Sequence, residues 1–206
     1  MSSYPYDSIV VNGKEISIHS IFNGTVRAAS DFEQTTFDFI SDWLAGRESF
    51  VQNTSGSTGD PKPIVITRNQ MIASATLSIG ALGLRPGYNA LLCINPEYIG
   101  GKMMLVRSLM AGMKIIATTP TSNPFNSLPE NIPVDFAAMV PYQIHAIIRS
   151  ATASKLDDVK KIIIGGATLD RQTEAGLHGY RCIFYSTFGM TETISHVALR
   201  QLNGRE

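Results

Sequence analysis

The chain has 206 residues, 44% of them hydrophobic and 17% charged, which is long enough to bury one well-packed core and short for two. Seventeen basic side chains balance seventeen acidic ones, so no overall field draws nucleic acid or an anionic membrane, and any polyanion has to be recognised locally. Met1–Asp7 lacks the basic and apolar regions of a signal peptide, and no apolar run approaches membrane-spanning length. These readings predict a cytoplasmic protein with no nucleic-acid and no membrane partner.

In chain order, residues 1–48 read as a lead. Ile9–Ile18 predicts a small hairpin turning at Asn12-Gly13, a strong turn dipeptide. Phe37, Ile40 and Leu44 mark one face of a helix that Gly46 ends, with Trp43 packed nearby. Residues 49–206 then alternate between short β-branched runs and helical stretches. Strands are predicted at Ser49–Gln52, Ile64–Thr67, Ala90–Asn95, Lys114–Thr118, Asp135–Met139, Lys160–Ile164 and Arg181–Ser186. Between them, Thr67 and Gln70 form a capping box for a helix through Leu82, closed by Gly83. Gly100–Ala111 reads as a helix ended by Gly112, Tyr142–Ala151 as one following Pro141, and Arg171–Gly176 as one capped by Asp170. Pro120–Pro133 is a surface or domain-edge loop. Such alternation predicts an α/β fold, with a largely parallel central sheet covered by helices on both faces. Cys93 and Cys182 lie in apolar, strand-like runs and read as inert core thiols.

The most informative stretch is Asn53-Thr-Ser-Gly-Ser-Thr-Gly-Asp-Pro-Lys-Pro63. Its glycines let a ligand approach the backbone, its hydroxyls and consecutive N–H groups suit an anion-binding nest, and Lys62 adds a mobile positive charge. A P-loop reading fails, because Pro61 and Pro63 stand where that motif needs N–H donors, and proline has none. A solvated linker is the competing reading of this stretch alone. A second segment, Phe188-Gly-Met-Thr-Glu-Thr193, follows the last predicted strand, and a third, Gly165-Gly-Ala-Thr-Leu169, ends an Ile-rich one.

Together these segments resemble the adenylate-forming superfamily, which includes acyl-CoA synthetases, luciferases and peptide-synthetase adenylation domains. Its loop T-S-G-S-T-G-x-P-K-G is matched from Thr54 to Lys62 and departs at Pro63, and its aromatic-G-x-T-E motif is matched at Phe188, Gly189, Thr191 and Glu192. The resemblance implies that ATP and a carboxylic acid form an acyl-adenylate, which coenzyme A then converts to a thioester. It implies that Thr54 and Ser55 belong to the ATP site, that Gly56, Ser57, Thr58 and Gly59 wrap the β- and γ-phosphates with Lys62 neutralising them, and that Thr191 bonds the α-phosphate. Glu192 becomes a Mg²⁺ ligand, since a carboxylate beside a triphosphate needs a cation between them. Phe188 stacks on adenine, with Gly189, Met190 and the small residues Gly165, Gly166 and Ala167 around it. Thr191, Glu192 and Lys62 carry the catalytic roles.

The same residues have plainer readings: Phe188 as core packing at a strand end, Gly165–Ala167 as a tight turn, Glu192 as a surface carboxylate. For the acid, Pro96-Glu-Tyr-Ile-Gly-Gly-Lys102 is similar to the family's P-x-x-H-x-x-G segment, with Tyr98 near the histidine's place. Gly100, Gly101 and Lys102 open a helix, and Lys102 reads either as a partner for a second substrate carboxylate or as a solvated lysine. Ser195 and His196 are further candidates for that pocket. Within the superfamily the chain looks like the short bacterial o-succinylbenzoate–CoA ligases of menaquinone synthesis. Other aryl or acyl acid–CoA ligases, and a non-catalytic nucleotide-binding fragment, remain alternatives. The short lead and the end at Glu206 imply a partial domain that lacks the family's C-terminal lid, with little ligase turnover by itself; homo-oligomers are possible partners. The histidines at 19, 145, 178 and 196 have no metal-ligand spacing, and no G-x-S-x-G elbow is present.

Overall fold

The computed structural model describes residues 4–53, 62–129 and 132–204. The lead forms strands β1 (Ser8–Val11) and β2 (Lys14–Ser17), then helices α1 (Ile18–Phe22) and α2 (Asp31–Leu44). The β1–β2 turn falls on Asn12 and Gly13, both at positive φ, as its residue types require. Next come β3 (Ser49–Asn53), β4 (Pro63–Thr67), α3 (Arg68–Leu82), β5 (Asn89–Leu92) and α4 (Ile99–Ala111). The remainder runs β6 (Lys114–Ala117), β7 (Phe136–Met139), α5 (Pro141–Ile148), β8 (Lys161–Ile164), α6 (Arg171–Gly176), β9 (Ile183–Gly189) and β10 (His196–Gln201). The predicted capping box at Thr67 and Gln70 is present, and Gly83 closes α3 in the left-handed conformation.

An eight-stranded sheet has the order β10-β9-β8-β7-β5-β6-β1-β2. The strands from β9 to β1 are parallel, and only the two edges, β10 and β2, pair antiparallel. The lead therefore continues the main sheet through the pairing of Val10 with Ile116. Strands β3 and β4 do not join it: they form a separate antiparallel pair, and the short connection between Asn53 and Pro63 is less than the dozen or so residues a parallel crossover needs.

Helices cover both faces, and the period of two along each strand decides which side chain goes where. Ala90, Leu92, Ile115, Phe136 and Ala138 join Phe37, Trp43, Met71, Met103 and Val106 on one face. Leu91, Cys93, Ile116, Ala137 and Met139 join Ile144, Ile147, Leu156 and Leu177 on the other. Each fully buried Leu, Ile or Met contributes roughly 1.5–3 kcal/mol, so this double layer carries the fold. Both cysteines are buried and free, and burial pushes the Cys93 thiol up to about 12. Among the described residues no helix is long and apolar enough to cross a membrane.

Candidate nucleotide and acid site

Parallel strands point their carboxyl ends the same way, and loops leaving those ends form the crevice where α/β sheets hold ligands. Here β5 leads to Pro96–Tyr98, β7 to Pro141 and Tyr142, β8 to Gly165–Ala167, and β9 to Phe188–Glu192. The register sets Met139 beside Ile164 and Ile164 beside Ser186, so the last three of these segments emerge side by side. Gly165 N–H donates to the Met139 carbonyl, and Thr187 Oγ1 donates to the Ile164 carbonyl. Tyr98, Tyr142, Phe188 and Met190 stand exposed along this edge, with Phe188 at 69%. That is an unusual concentration of bare aromatic and apolar surface, and it suits stacking on flat rings. A cavity of about 530 Å³ opens at the opposite ends of the strands, beside Tyr88, Lys160 and Arg181. Its charges are already paired, Lys160 with Asp135 at 2.6 Å and Arg181 with Asp157 at 3.9 Å, so it makes no demand for a ligand.

Residues Thr54–Gly59 lie outside the described residues. The strands that flank them are described, and Asn53 pairs with Pro63, next to the exposed Lys62. Helix α4 anchors this hairpin. Lys102 Nζ donates to Gln52 Oε1 at 2.7 Å and to the Val51 carbonyl at 3.3 Å, and Gln52 Nε2 donates to the Glu97 carbonyl at 2.8 Å. Burial lowers the Lys102 ammonium pKa, and Glu97 partly offsets this. Lys102 thus has hairpin partners already. Gly101 is needed for the approach of α4 to the preceding loop, since a Cβ there would meet the Ile94 and Asn95 carbonyls inside van der Waals contact.

The acidic turn, a single 3₁₀ turn over Thr191–Thr193, sits between β9 and β10. The Thr193 hydroxyl accepts from Met190 N–H at 3.0 Å and donates to the Ser195 carbonyl at 2.7 Å. Ile194 takes φ +70°, a conformation a β-branched residue rarely adopts unless its surroundings impose it. Gly189 lies so close to Ser195 and His196 that any Cβ would collide with their backbone. Glu192 is exposed, and among the described residues no side chain pairs with it. Beneath the turn lies Arg107 of α4, 1% exposed. Its Nη2 donates to Ser195 Oγ at 2.5 Å and stands 3.4 Å from His196 Nδ1, while its Nε has no partner among the described residues. Burial lowers the guanidinium pKa to about 10, so it stays charged at neutral pH. Its described partners are neutral, and a buried cation without a counter-ion is costly.

Helix α4 therefore brings the hairpin and the acidic turn together, through Lys102 and Arg107 respectively. Of the residues singled out from sequence, Phe188, Gly189, Met190, Thr191, Glu192, Gly165, Gly166 and Ala167 lie along the carboxyl edge. Tyr98, Gly100, Gly101 and Lys102 open α4, and Ser195 and His196 meet its middle. Sequence reasoning missed Arg107 and Tyr142. The signal for Arg107 was present: one arginine inside the apolar run Met103-Met-Leu-Val-Arg-Ser-Leu109. It also missed β10, whose burial pattern shows no strand alternation. Among the described residues no three His, Cys, Asp or Glu side chains gather into a metal cage. One exposed carboxylate, Glu192, fits Mg²⁺ delivered with phosphates, because that ion uses one or two carboxylates and takes its other ligands from phosphate and water.

The profile described as AMP-binding enzyme matches residues 26–206. The chain is 27% identical over 170 residues to a 2-succinylbenzoate–CoA ligase of Staphylococcus epidermidis, covering 81% of this chain and 35% of that protein. It is 26% identical over 180 residues to the enzyme of that name from Salmonella typhimurium, covering 86% of this chain and 38% of that one. Among solved structures, an acyl-CoA synthetase (AMP-forming)/AMP-acid ligase II-like protein from Dyadobacter fermentans superposes with a TM-score of 0.81 at 42% identity. That match covers 88% of this chain and 52% of the other. The chain thus spans little more than a third of the curated relatives and about half of the Dyadobacter protein. Fold, motif order and profile agree: the chain belongs to the AMP-binding enzyme family.

Proposed function

We propose that this chain carries the ATP- and acid-binding part of an acid–CoA ligase, and that its acid is 2-succinylbenzoate. The observation that carries the reading is the double anchorage of α4, which holds the hairpin flanking the glycine–hydroxyl loop and the Thr-Glu-Thr turn on one helix. In this reading Gly56, Ser57, Thr58, Gly59 and Lys62 embrace the β- and γ-phosphates, and Thr191 bonds the α-phosphate. Phe188 and Gly165–Ala167 bracket the adenine, and Glu192 binds the Mg²⁺ that accompanies ATP. Magnesium would spread the phosphoryl charge; the chain's own part is positioning and electrostatic stabilisation while the acid carboxylate attacks the α-phosphorus and pyrophosphate leaves with the broken α–β anhydride bond. The coenzyme A thiol then takes the acyl group from the adenylate, and AMP leaves.

A dicarboxylate is supported by Arg107, whose buried charge lacks a described anionic partner. The names of the curated relatives agree with that acid. A second reading, a different acid, is favoured by the Dyadobacter protein, which is more similar in sequence and whose name specifies no acid. Calorimetry with ATP, Mg²⁺ and 2-succinylbenzoate, followed by pyrophosphate exchange over a panel of aryl and fatty acids in the full-length protein, separates the two. Exchange with 2-succinylbenzoate at least tenfold above the other acids supports the first; preference for a monocarboxylic acid overturns it.

A further inference from the structure

His196 has an unusual neighbour for an imidazole, a guanidinium in place of a carboxylate. The guanidinium can only donate, and this constrains the hydrogen-bond directions around the ring. Arg107 Nη2 stands 3.4 Å from His196 Nδ1, so Nδ1 is the acceptor and the ring proton sits on Nε2, 3.1 Å from Ser78 Oγ on α3, whose own proton is then free for the Ser74 carbonyl at 2.9 Å. The neutral ring then presents a bare Nδ1, which is the atom facing Arg107 Nη2 and Ser195 Oγ, each at 3.4 Å. The opposite tautomer would turn an N–H against the guanidinium. Arg107 donates to Ser195 Oγ at 2.5 Å, which leaves the Ser195 proton for Nδ1. The chain Arg107, Ser195, His196, Ser78 and the Ser74 carbonyl runs in one consistent direction, and every acceptor in it is neutral.

We propose that His196 is a positioning residue for the acid end of the site: anchored on α3, its neutral ring fixes the Arg107 guanidinium through acceptors that leave the positive charge uncancelled for an incoming anion. A carboxylate in its place would hold the arginine more tightly and consume that charge. Among the described residues the ring's hydrogen-bond neighbours are Ser78 from α3, Arg107 from α4 and Ser195 from its own turn, and only Arg107 is charged. Burial first, then Arg107, holds the imidazole unprotonated down to about 4. The proposal rests on the acid-facing reading of Arg107, so its test has one arm that needs no acid.

That arm is ¹⁵N NMR of histidine- and arginine-labelled chain. The expected result is a His196 ring neutral from about pH 5 to 8 with its proton on Nε2, and separate Arg107 Nη resonances because guanidinium rotation is blocked. His196→Leu is expected to merge those resonances, whereas His196→Asn, whose carbonyl falls near the Nδ1 position, keeps them apart. Ser78→Ala, a smaller change in the core, moves them in the same direction as His196→Leu. A ring that titrates near its ordinary value, or separate Nη signals surviving in His196→Leu, overturns the proposal. The second arm is calorimetry with 2-succinylbenzoate, where His196→Leu is expected to lose about tenfold in affinity and His196→Asn less than about threefold. Equal losses in both variants overturn positioning. Absence of binding by the wild type, with the NMR pattern intact, removes the proposed acid and leaves the positioning of Arg107 supported.

Discussion

The two ends of the parallel strands treat charge in opposite ways. At the amino ends Asp135 accepts from Lys160 and from Asn89 N–H, and Arg181 meets Asp157 and Asp158. At the carboxyl ends Arg107 is buried among neutral acceptors and Glu192 stands exposed with no described partner. Paired charges at one end serve the fold. At the other end, among the described residues, Arg107 and Glu192 have no charged partner, and Ile194 at positive φ stands beside them. Under the proposed function, binding and stability are therefore separable along the strand axis.

The contrast is sharpest in four experiments. Gly189→Ala should have the largest effect, destabilising by ~2 kcal/mol or more in urea unfolding, since the new methyl would collide with backbone at Ser195 and His196. Arg107→Met at the carboxyl end and Asp135→Ala at the amino end should move stability in opposite directions. Removing the uncompensated cation is expected to stabilise by about 1 kcal/mol while weakening acid binding. Removing the carboxylate that caps Asn89 N–H should cost about 1 kcal/mol and leave ligand binding unchanged. Two variants that shift stability the same way would break the comparison.

The third experiment is a pH series of thermal midpoints. His196 has its pKa depressed from 6.5 to about 4 in the fold, so the unfolded chain binds the extra proton. Its contribution is full above about 6.5 and is lost as pH falls through the window to about 4. The lowered carboxyls of Asp170 and Glu174, held by Thr173 and Arg200, start from 3.8 and 4.5 and act below most of that window. His196→Asn should flatten the slope between pH 4.5 and 6.5; an unchanged slope would assign it elsewhere. The smallest effect is expected from Lys102→Met, which should speed hydrogen exchange in β3 and β4 severalfold with little change in global stability, because it cuts only the tie to Val51 and Gln52.

Much of this was legible in the residues themselves. Local chemistry wrote the Asn12-Gly13 turn, the Thr67–Gln70 box, the Gly83 and Gly112 stops, the Asp170 cap and the seven β-branched runs, since each depends on neighbours a few positions away. The order of the motifs was sufficient for the family. Long-range pairing was not legible: that β3 and β4 stand apart from the main sheet, that β1 extends it beside β6, and that β10 closes its other edge depend on partners far along the chain. Arg107 is the clearest case. Its place in an apolar helix is visible in the sequence, but only the packing of α3, α4 and β10 shows that Ser195 and His196 surround it with neutral acceptors, because side chains from positions 78, 107 and 195–196 meet only when the sheet has formed.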